Sequence, residues 1–186
     1  MTLEFTLDPE LTEKLRAQIV ACWTDVSNAG GAVGFVPPVT MDDVLPVAEK
    51  LFAGVAGGLD RLVVGWEIDP AGAGAGSSSG EPRVAALATI SDDQFRLTEH
   101  WRTVRRVMVH PDFQGRGYGA RLMAEVERVG RAMGLQMLTL DCRGGTGNDV
   151  FYKKCGYVEY GRLPGALRLS ADDYRDQILM ALSLSD

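Results

Sequence analysis

A chain of 186 residues is long enough to bury one ordinary core, and its 46% hydrophobic and 24% charged content is that of a globular protein. A net charge of -6 with no basic stripe excludes a sequence-independent nucleic-acid binder, and no apolar run reaches the roughly 18 residues of a membrane span. Three cysteines without metal-ligand spacing, and an acidic start without a basic n-region, lead us to expect a cytoplasmic protein with no signal peptide and no metal.

Leu3, Phe5 and Leu7 alternate with polar residues and predict a short first strand. Asp8-Pro9 then opens a helix whose Leu11, Leu15, Ile19, Cys22, Trp23 and Val26 share one face, which makes Cys22 a core thiol. Asn28-Ala-Gly-Gly31 breaks that helix. Ala32 to Pro38 is apolar, but its two adjacent prolines rule out a central strand and predict an ordered loop. A second helix turns Leu45, Ala48, Leu51, Phe52 and Val55 inward. Asp42 or Asp43 is its expected cap, Pro46 falls in its first turn, and Gly57-Gly58 ends it.

Arg61 to Ile68 and Arg83 to Ile90 read as two strands. Between them, Asp69 to Pro82 is mostly Gly, Ala and Ser; with nothing to bury, it predicts a mobile hairpin tip. Thr103 to Val109 is a fourth strand closed by His110-Pro111, and Gly117 to Met133 is a helix with Leu122, Val126, Val129 and Met133 on one face. Gln136 to Asp141 is a fifth strand. A short helix over Gly147 to Cys155 stops at Gly156, and Tyr157 to Leu163 and Gln177 to Leu184 supply the last two strands. The order β-α-α-β-β-β-α-β-α-β-β predicts one α/β domain over residues 1–186, a mixed sheet with helices on both faces.

The sharpest local signal is Val107-Met-Val-His-Pro-Asp-Phe-Gln-Gly-Arg-Gly-Tyr-Gly-Ala120, a strand running into a glycine-rich turn that opens a helix. Free N–H groups at the helix start and the macrodipole make such a turn an anion cradle, and glycines let phosphate oxygens reach the main chain. A Walker loop needs a lysine after its glycines, and none stands here. A dinucleotide fingerprint needs G-x-G-x-x-G after the first strand, whereas this chain has G-x-G-x-G late in its length. Arg102, Arg105, Arg106, Arg116 and Arg121 supply enough positive charge for a single phosphorylated cofactor.

Gln114-Gly-Arg-Gly-Tyr-Gly-Ala120 resembles the [RQ]-x-x-G-x-[GA] pyrophosphate loop of the GNAT acetyltransferases. The resemblance implies acetyl-CoA as co-substrate, with Gln114, Gly115, Arg116, Gly117, Tyr118, Gly119 and Ala120 at its pyrophosphate. It further implies that the main chain of Val107, Met108 and Val109 pairs with the pantetheine arm. Asp149-Val-Phe-Tyr-Lys-Lys-Cys-Gly-Tyr157 resembles the family's second signature, a helix ending Y-x-x-x-G-[FY]. That alignment places Tyr152 at the general-acid position beside the CoA sulfur, with Asn148 and Phe151 also against the cofactor. Asn148 stands where the family usually has alanine. The implied fold is a single GNAT domain with a mixed, mostly antiparallel seven-stranded sheet, splayed between strands 4 and 5.

Gly30-Gly-Ala-Val-Gly-Phe35, Leu138-Thr-Leu-Asp141 and Gly161-Arg-Leu-Pro-Gly165 resemble the tabtoxin-resistance branch, whose members acetylate an amino-acid-like antibiotic. Asp141 matches that branch's acid at the end of the fifth strand, while Thr103 stands at the position of its second acid. The resemblance thus implies N-acetyl transfer to a small-molecule amine. A peptide or protein amine, or a non-catalytic acyl-CoA-binding module, are the alternatives. It admits a homodimer and no nucleic-acid or membrane partner.

An ammonium group must lose a proton before its nitrogen attacks a thioester, and Asp141, directly or through water, is the candidate base. A fourth-strand N–H near Val109 would stabilise the oxyanion, and Tyr152 would protonate the departing thiolate. Each residue also has a plainer reading. Tyr152 can pack with its hydroxyl bonded, and Asp141 can cap the following turn. Phe35 and Trp101 can line a pocket or fill core, His110 reads as a strand-end residue and His100 as a loop residue, and Cys142 and Cys155 read as packing groups.

Overall fold

The computed structural model describes residues 2–68 and 82–185. The expected hairpin tip at Asp69 to Pro82 therefore lies, apart from Pro82, outside the described residues. Along the chain run β1 (Thr2–Leu7), α1 (Glu13–Asn28), α2 (Met41–Ala56), β2 (Asp60–Ile68), β3 (Arg83–Ser91), β4 (Trp101–Val109), α3 (Tyr118–Ala132), β5 (Met137–Arg143), α4 (Asn148–Lys154), β6 (Val158–Arg168) and β7 (Tyr174–Ser183). This is the predicted order. The strands form a seven-stranded sheet in the order β1-β2-β3-β4-β5-β7-β6. β1 with β2, β5 with β7 and β6 with β7 pair antiparallel, while β4 and β5 are parallel. No helix among the described residues is long and apolar enough to cross a membrane.

Contacts divide the chain into two compact units, residues 1–89 with 106–125 and residues 90–105 with 126–186; the cuts fall within β3, β4 and α3. In the first unit, one face of the strands packs Leu62, Val64 and Val84 against Leu15, Ile19, Trp23, Ala48 and Phe52 of α1 and α2. Leu3 and Ala85 form a separate cluster with Phe113 and Tyr118. Strand alternation puts this cluster on the opposite face, so helical segments cover both sides. In the second unit Val126, Val129, Leu138, Leu140, Cys142, Ile178 and Met180 are all buried. Leucine packing on α3 is close enough that a Cβ on Gly130 would meet Leu184 and Leu138 at 3.0 and 3.1 Å.

Several boundaries and caps differ from those expected. α1 starts after Thr12, whose hydroxyl accepts the Leu15 N–H at 3.2 Å, and not at Asp8-Pro9. Asp8 is instead paired with Arg61 and accepts the Leu62 N–H at 2.7 Å. α2 is capped by Thr40, with Asp43 returning the bond to the Thr40 N–H at 2.9 Å, a reciprocal capping box. Val44, Ala48, Leu51 and Phe52 of α2 face inward, whereas the expected Leu45 is exposed. β4 begins two residues early at Trp101, where pairing with β5 starts. β6 continues past Leu163 to Arg168 with a register shift between Leu163 and Leu167. As the last strand in the sheet it tolerates Pro164, which has no N–H to donate.

Candidate active site

The glycine-rich turn belongs to the first unit. The His110 N–H bonds the Ala85 carbonyl at 2.9 Å, and Pro111–Phe113 then makes a single 3-10 turn. His110 serves structure here: its Nδ1 accepts the Asp112 N–H at 3.2 Å, and its Nε2 meets Asp25 at 3.2 Å. Phe113 is buried and stacks on Tyr118 with centroids 6.2 Å apart. Between these anchors Gly115 and Gly117 both take φ of +76°, and a Cβ added at either would meet nothing within 4 Å. An L side chain is strained at that φ, and the space in front of both glycines is open. α3 begins immediately afterwards, so its first N–H groups have no acceptor within the helix and face this space. The arrangement suits an anion held by main-chain N–H groups.

Two expected contacts look different in the structure. Gln114 turns back, its Nε2 donating to the Val109 carbonyl at 3.1 Å, and ties the turn to the end of β4. The Tyr118 side chain is buried and donates its hydroxyl to Glu67 of β2, leaving its backbone for the anion. That hydrogen bond, followed by burial, raises the Tyr118 pKa above that of an ordinary tyrosine. Arg116 lies over the Phe113 ring at 5.3 Å and 3.5 Å from Glu67 Oε1. Arg121 donates to the Leu3 carbonyl at 2.7 Å.

Arg106, expected only as one of the cations near the cofactor, takes φ of +56° in the middle of β4. A left-handed residue costs about 1–2 kcal/mol and kinks a strand as a bulge does. Its guanidinium lies 4.9 Å over the Trp23 ring, which offsets part of that cost. Trp23 in turn donates to the Val33 carbonyl at 2.9 Å and meets Phe35 edge-on at 5.9 Å, and Phe35 is partly buried against this core. No local pattern marks Arg106.

In the second unit, β4 and β5 pair over Trp101 to Thr103 and Met137 to Thr139. Thr139 donates to the Thr103 hydroxyl at 3.3 Å, and Thr103 donates to Asp93 at 3.2 Å. Two residues further along the same face of β5 stands Asp141, exposed, with Gln177 Nε2 donating to its Oδ2 at 3.1 Å. Cys142 points the other way, buried with its Sγ 4.0 Å from Met180 Sδ. Burial pushes its thiol up to about 11, so it is a packing group and no nucleophile. β5 leads through Gly144 to Gly147 into α4, which carries Asn148, Phe151 and Tyr152. Tyr152 is buried, with Phe151 at 5.1 Å and Tyr157 at 5.9 Å between ring centroids. Burial first, then Cys142, Cys155 and Asp141, raise its pKa well above ordinary tyrosine, so its phenol keeps its proton. His100 is exposed and contributes its carbonyl to the Gln136 N–H at 2.8 Å.

A cavity of about 400 Å³ in the first unit, lined by Glu4, Lys14, Gln18 and Trp66 among others, includes none of the expected site residues. Among the described residues no three His, Cys, Asp or Glu side chains cluster as metal ligands would.

Residues 80–159, from β3 to the start of β6, match the family model of the acetyltransferase (GNAT) domain. Over those residues the chain is similar to that acetyltransferase domain. The matched segment contains the glycine turn, Arg106, Asp141 and Tyr152, while Glu67 lies outside it. Solved structures share the fold at low identity. An N-acetyltransferase from Staphylococcus aureus Mu50 superposes with a TM-score of 0.75 at 15% identity, covering 100% of both chains. The Salmonella typhimurium protein yncA, solved with its cofactor acetyl-CoA, gives 0.71 at 19%, covering 100% of this chain and 95% of that one. A proposed phosphinothricin N-acetyltransferase gives 0.72 at 20%, covering 98% of this chain and 100% of that one.

Proposed function

We propose that this GNAT protein, acting as one domain, transfers acetyl from acetyl-CoA directly to the amine of a small, amino-acid-like molecule. The observation that carries the acetyl-CoA reading is the pair of left-handed glycines, open to solvent, ahead of α3. Gly115, Gly117 and the first N–H groups of α3 would hold the pyrophosphate, with Arg116 adding charge and Val107 to Val109 lending main-chain groups to the pantetheine arm. Asn148 and Phe151 of α4 would flank the cofactor.

In the reaction, the acceptor nitrogen attacks the thioester carbonyl, the C–S bond breaks, and an amide and free CoA result. Asp141 takes the ammonium proton; its exposure and the orienting bond from Gln177 support that role. Tyr152 gives its proton to the departing sulfur and is reprotonated as the nitrogen sheds its second proton to form the amide, a role supported by the raised pKa that keeps the phenol protonated. The amino-acid-like acceptor rests on the likeness of Gly30 to Phe35, Leu138 to Asp141 and Gly161 to Gly165 to the tabtoxin-resistance branch. The name of the phosphinothricin N-acetyltransferase neighbour points the same way.

The test is CoA release measured across amino acids, amine antibiotics, polyamines and peptide N-termini. Turnover highest on amino-acid-like amines is expected. Turnover confined to peptides would make the protein a peptide acetyltransferase, and CoA binding without any turnover would make it a binding module.

A further inference from the structure

A loop built to receive a pyrophosphate should have positive or neutral surroundings, yet a carboxylate lies directly behind it. Glu67 of β2 is only 6% exposed. One of its oxygens, Oε2, accepts the Tyr118 hydroxyl. The other, Oε1, is buried with no hydrogen-bond partner among the described residues, and it faces the Arg116 guanidinium at 3.5 Å. A carboxylate held this way is costly, because burial removes its water and only one hydrogen bond and the Arg116 ion pair replace it. A glutamine at this position would fit the same space and accept the same tyrosine hydroxyl with no charge to bury, its amide N–H groups then turning toward the Arg116 guanidinium. The charge therefore calls for a reason.

The reason lies in what the charge holds. Arg116 is the loop's own cation, and its side chain is half-exposed, between Glu67 and the Phe113 ring. Any anion that settles on Gly115 and Gly117 must compete with Glu67 for that guanidinium. We propose that Glu67 is an internal counter-anion to the loop, restraining Arg116 so that CoA binds loosely enough to leave after each turnover. Glu67 is a positioning residue that acts through Arg116 and touches no reacting atom. The proposal rests on the loop being the CoA pyrophosphate site. The Tyr118 hydroxyl, bonded to Oε2 and also against Arg116, belongs to the same cluster.

The test is calorimetric titration of CoA into the unaltered protein, Glu67→Gln, Tyr118→Phe, Arg116→Met and the Glu67→Gln/Arg116→Met double variant, with steady-state kinetics for each. Glu67→Gln should tighten CoA about three- to tenfold, lower KM for acetyl-CoA and lower kcat as product release slows. Tyr118→Phe keeps both charges and removes only the hydroxyl, so its effect on CoA should be smaller than that of Glu67→Gln. In the Arg116→Met background, Glu67→Gln should no longer tighten CoA. Unchanged or weaker CoA binding in a folded Glu67→Gln overturns the proposal, as does a gain that persists without Arg116. If Glu67→Gln fails to fold, Glu67→Met takes its place, and equal or weaker CoA binding by it overturns the proposal. No CoA binding by the unaltered protein overturns the pyrophosphate reading itself. CoA binding that Glu67→Gln leaves unmoved overturns the counter-anion alone.

Discussion

Gln177 Nε2 donates a 3.1 Å hydrogen bond to Asp141 Oδ2, diagonally across the pair in which Asp141 faces Leu179 and Gln177 faces Arg143. A residue of β7 thus sets the direction of the β5 carboxylate. Asp141→Asn keeps the shape and the sheet position and removes the charge. Its rate loss should be greatest at low pH, where the amine arrives protonated, and should shrink as pH rises and free amine becomes abundant. A pH–rate profile of kcat/KM decides this; an equal loss at every pH would make Asp141 a turn residue. Gln177→Leu leaves the acid but frees its rotation, and should cost about two- to tenfold in kcat with the same pH trend.

Tyr152→Phe removes one hydroxyl from a buried ring and little volume. Turnover should fall by about 10²–10⁴-fold, the range for a positioned proton donor, while acetyl-CoA affinity stays nearly unchanged. Because burial raises the Tyr152 pKa, its ionisation should leave no alkaline limb in the unaltered enzyme's profile below about pH 10. Full activity in Tyr152→Phe would remove the tyrosine from the mechanism.

Tyr157 stands beside Tyr152 with its hydroxyl buried and unbonded among the described residues. Tyr157→Phe should leave stability unchanged or raise it by about 1 kcal/mol, since no hydrogen bond is lost and a desolvated hydroxyl is removed. Its pKa is raised above the unfolded value of about 10, chiefly by burial, so the folded state holds the proton more tightly than the unfolded one. The stability that follows is fully present below about pH 10 and is lost as pH rises beyond it. Denaturant melts at pH 8 and pH 10.5 should therefore show a smaller alkaline loss in Tyr157→Phe than in the unaltered protein.

Gly117 and Gly134 offer a controlled comparison. Their φ angles are +76° and +74°, and a Cβ at either meets nothing within 4 Å, so alanine should strain both alike, by about 1 kcal/mol. Of the two, only Gly117 belongs to the proposed pyrophosphate cradle. Gly117→Ala should weaken acetyl-CoA binding by tenfold or so, and Gly117→Asp further by adding a like charge, whereas Gly134→Ala should leave affinity alone. Equal affinities in all three variants would move the cofactor elsewhere.

Much of this was legible along the chain because its causes are local. Helix periodicity placed Leu15, Ile19, Trp23 and Phe52 in the core, and the turn chemistry of Gln114 to Ala120 announced a strand, a cradle and a helix in succession. Differences arose where tertiary packing decides. In α2 both Val44 and Leu45 lie within a turn of Ala48, and packing against α1 and the strands buries Val44 and leaves Leu45 exposed. The left-handed Arg106 inside β4 carries no local signal, since the Trp23 ring that steadies it lies 83 positions earlier in the chain.

What the sequence alone determined, then, is the set of elements, their order and the glycine cradle, since periodicity, caps and backbone freedom act over a few residues. Only the tertiary structure decided that β7 lies between β5 and β6, which lets Gln177 reach Asp141. Only it placed Glu67 behind the loop. In the sequence Glu67 is one polar residue in a strand, and its partners Arg116 and Tyr118 are about fifty residues away. A buried charge has meaning only through its neighbours, because desolvation and Coulomb energy depend on distance in space and not along the chain.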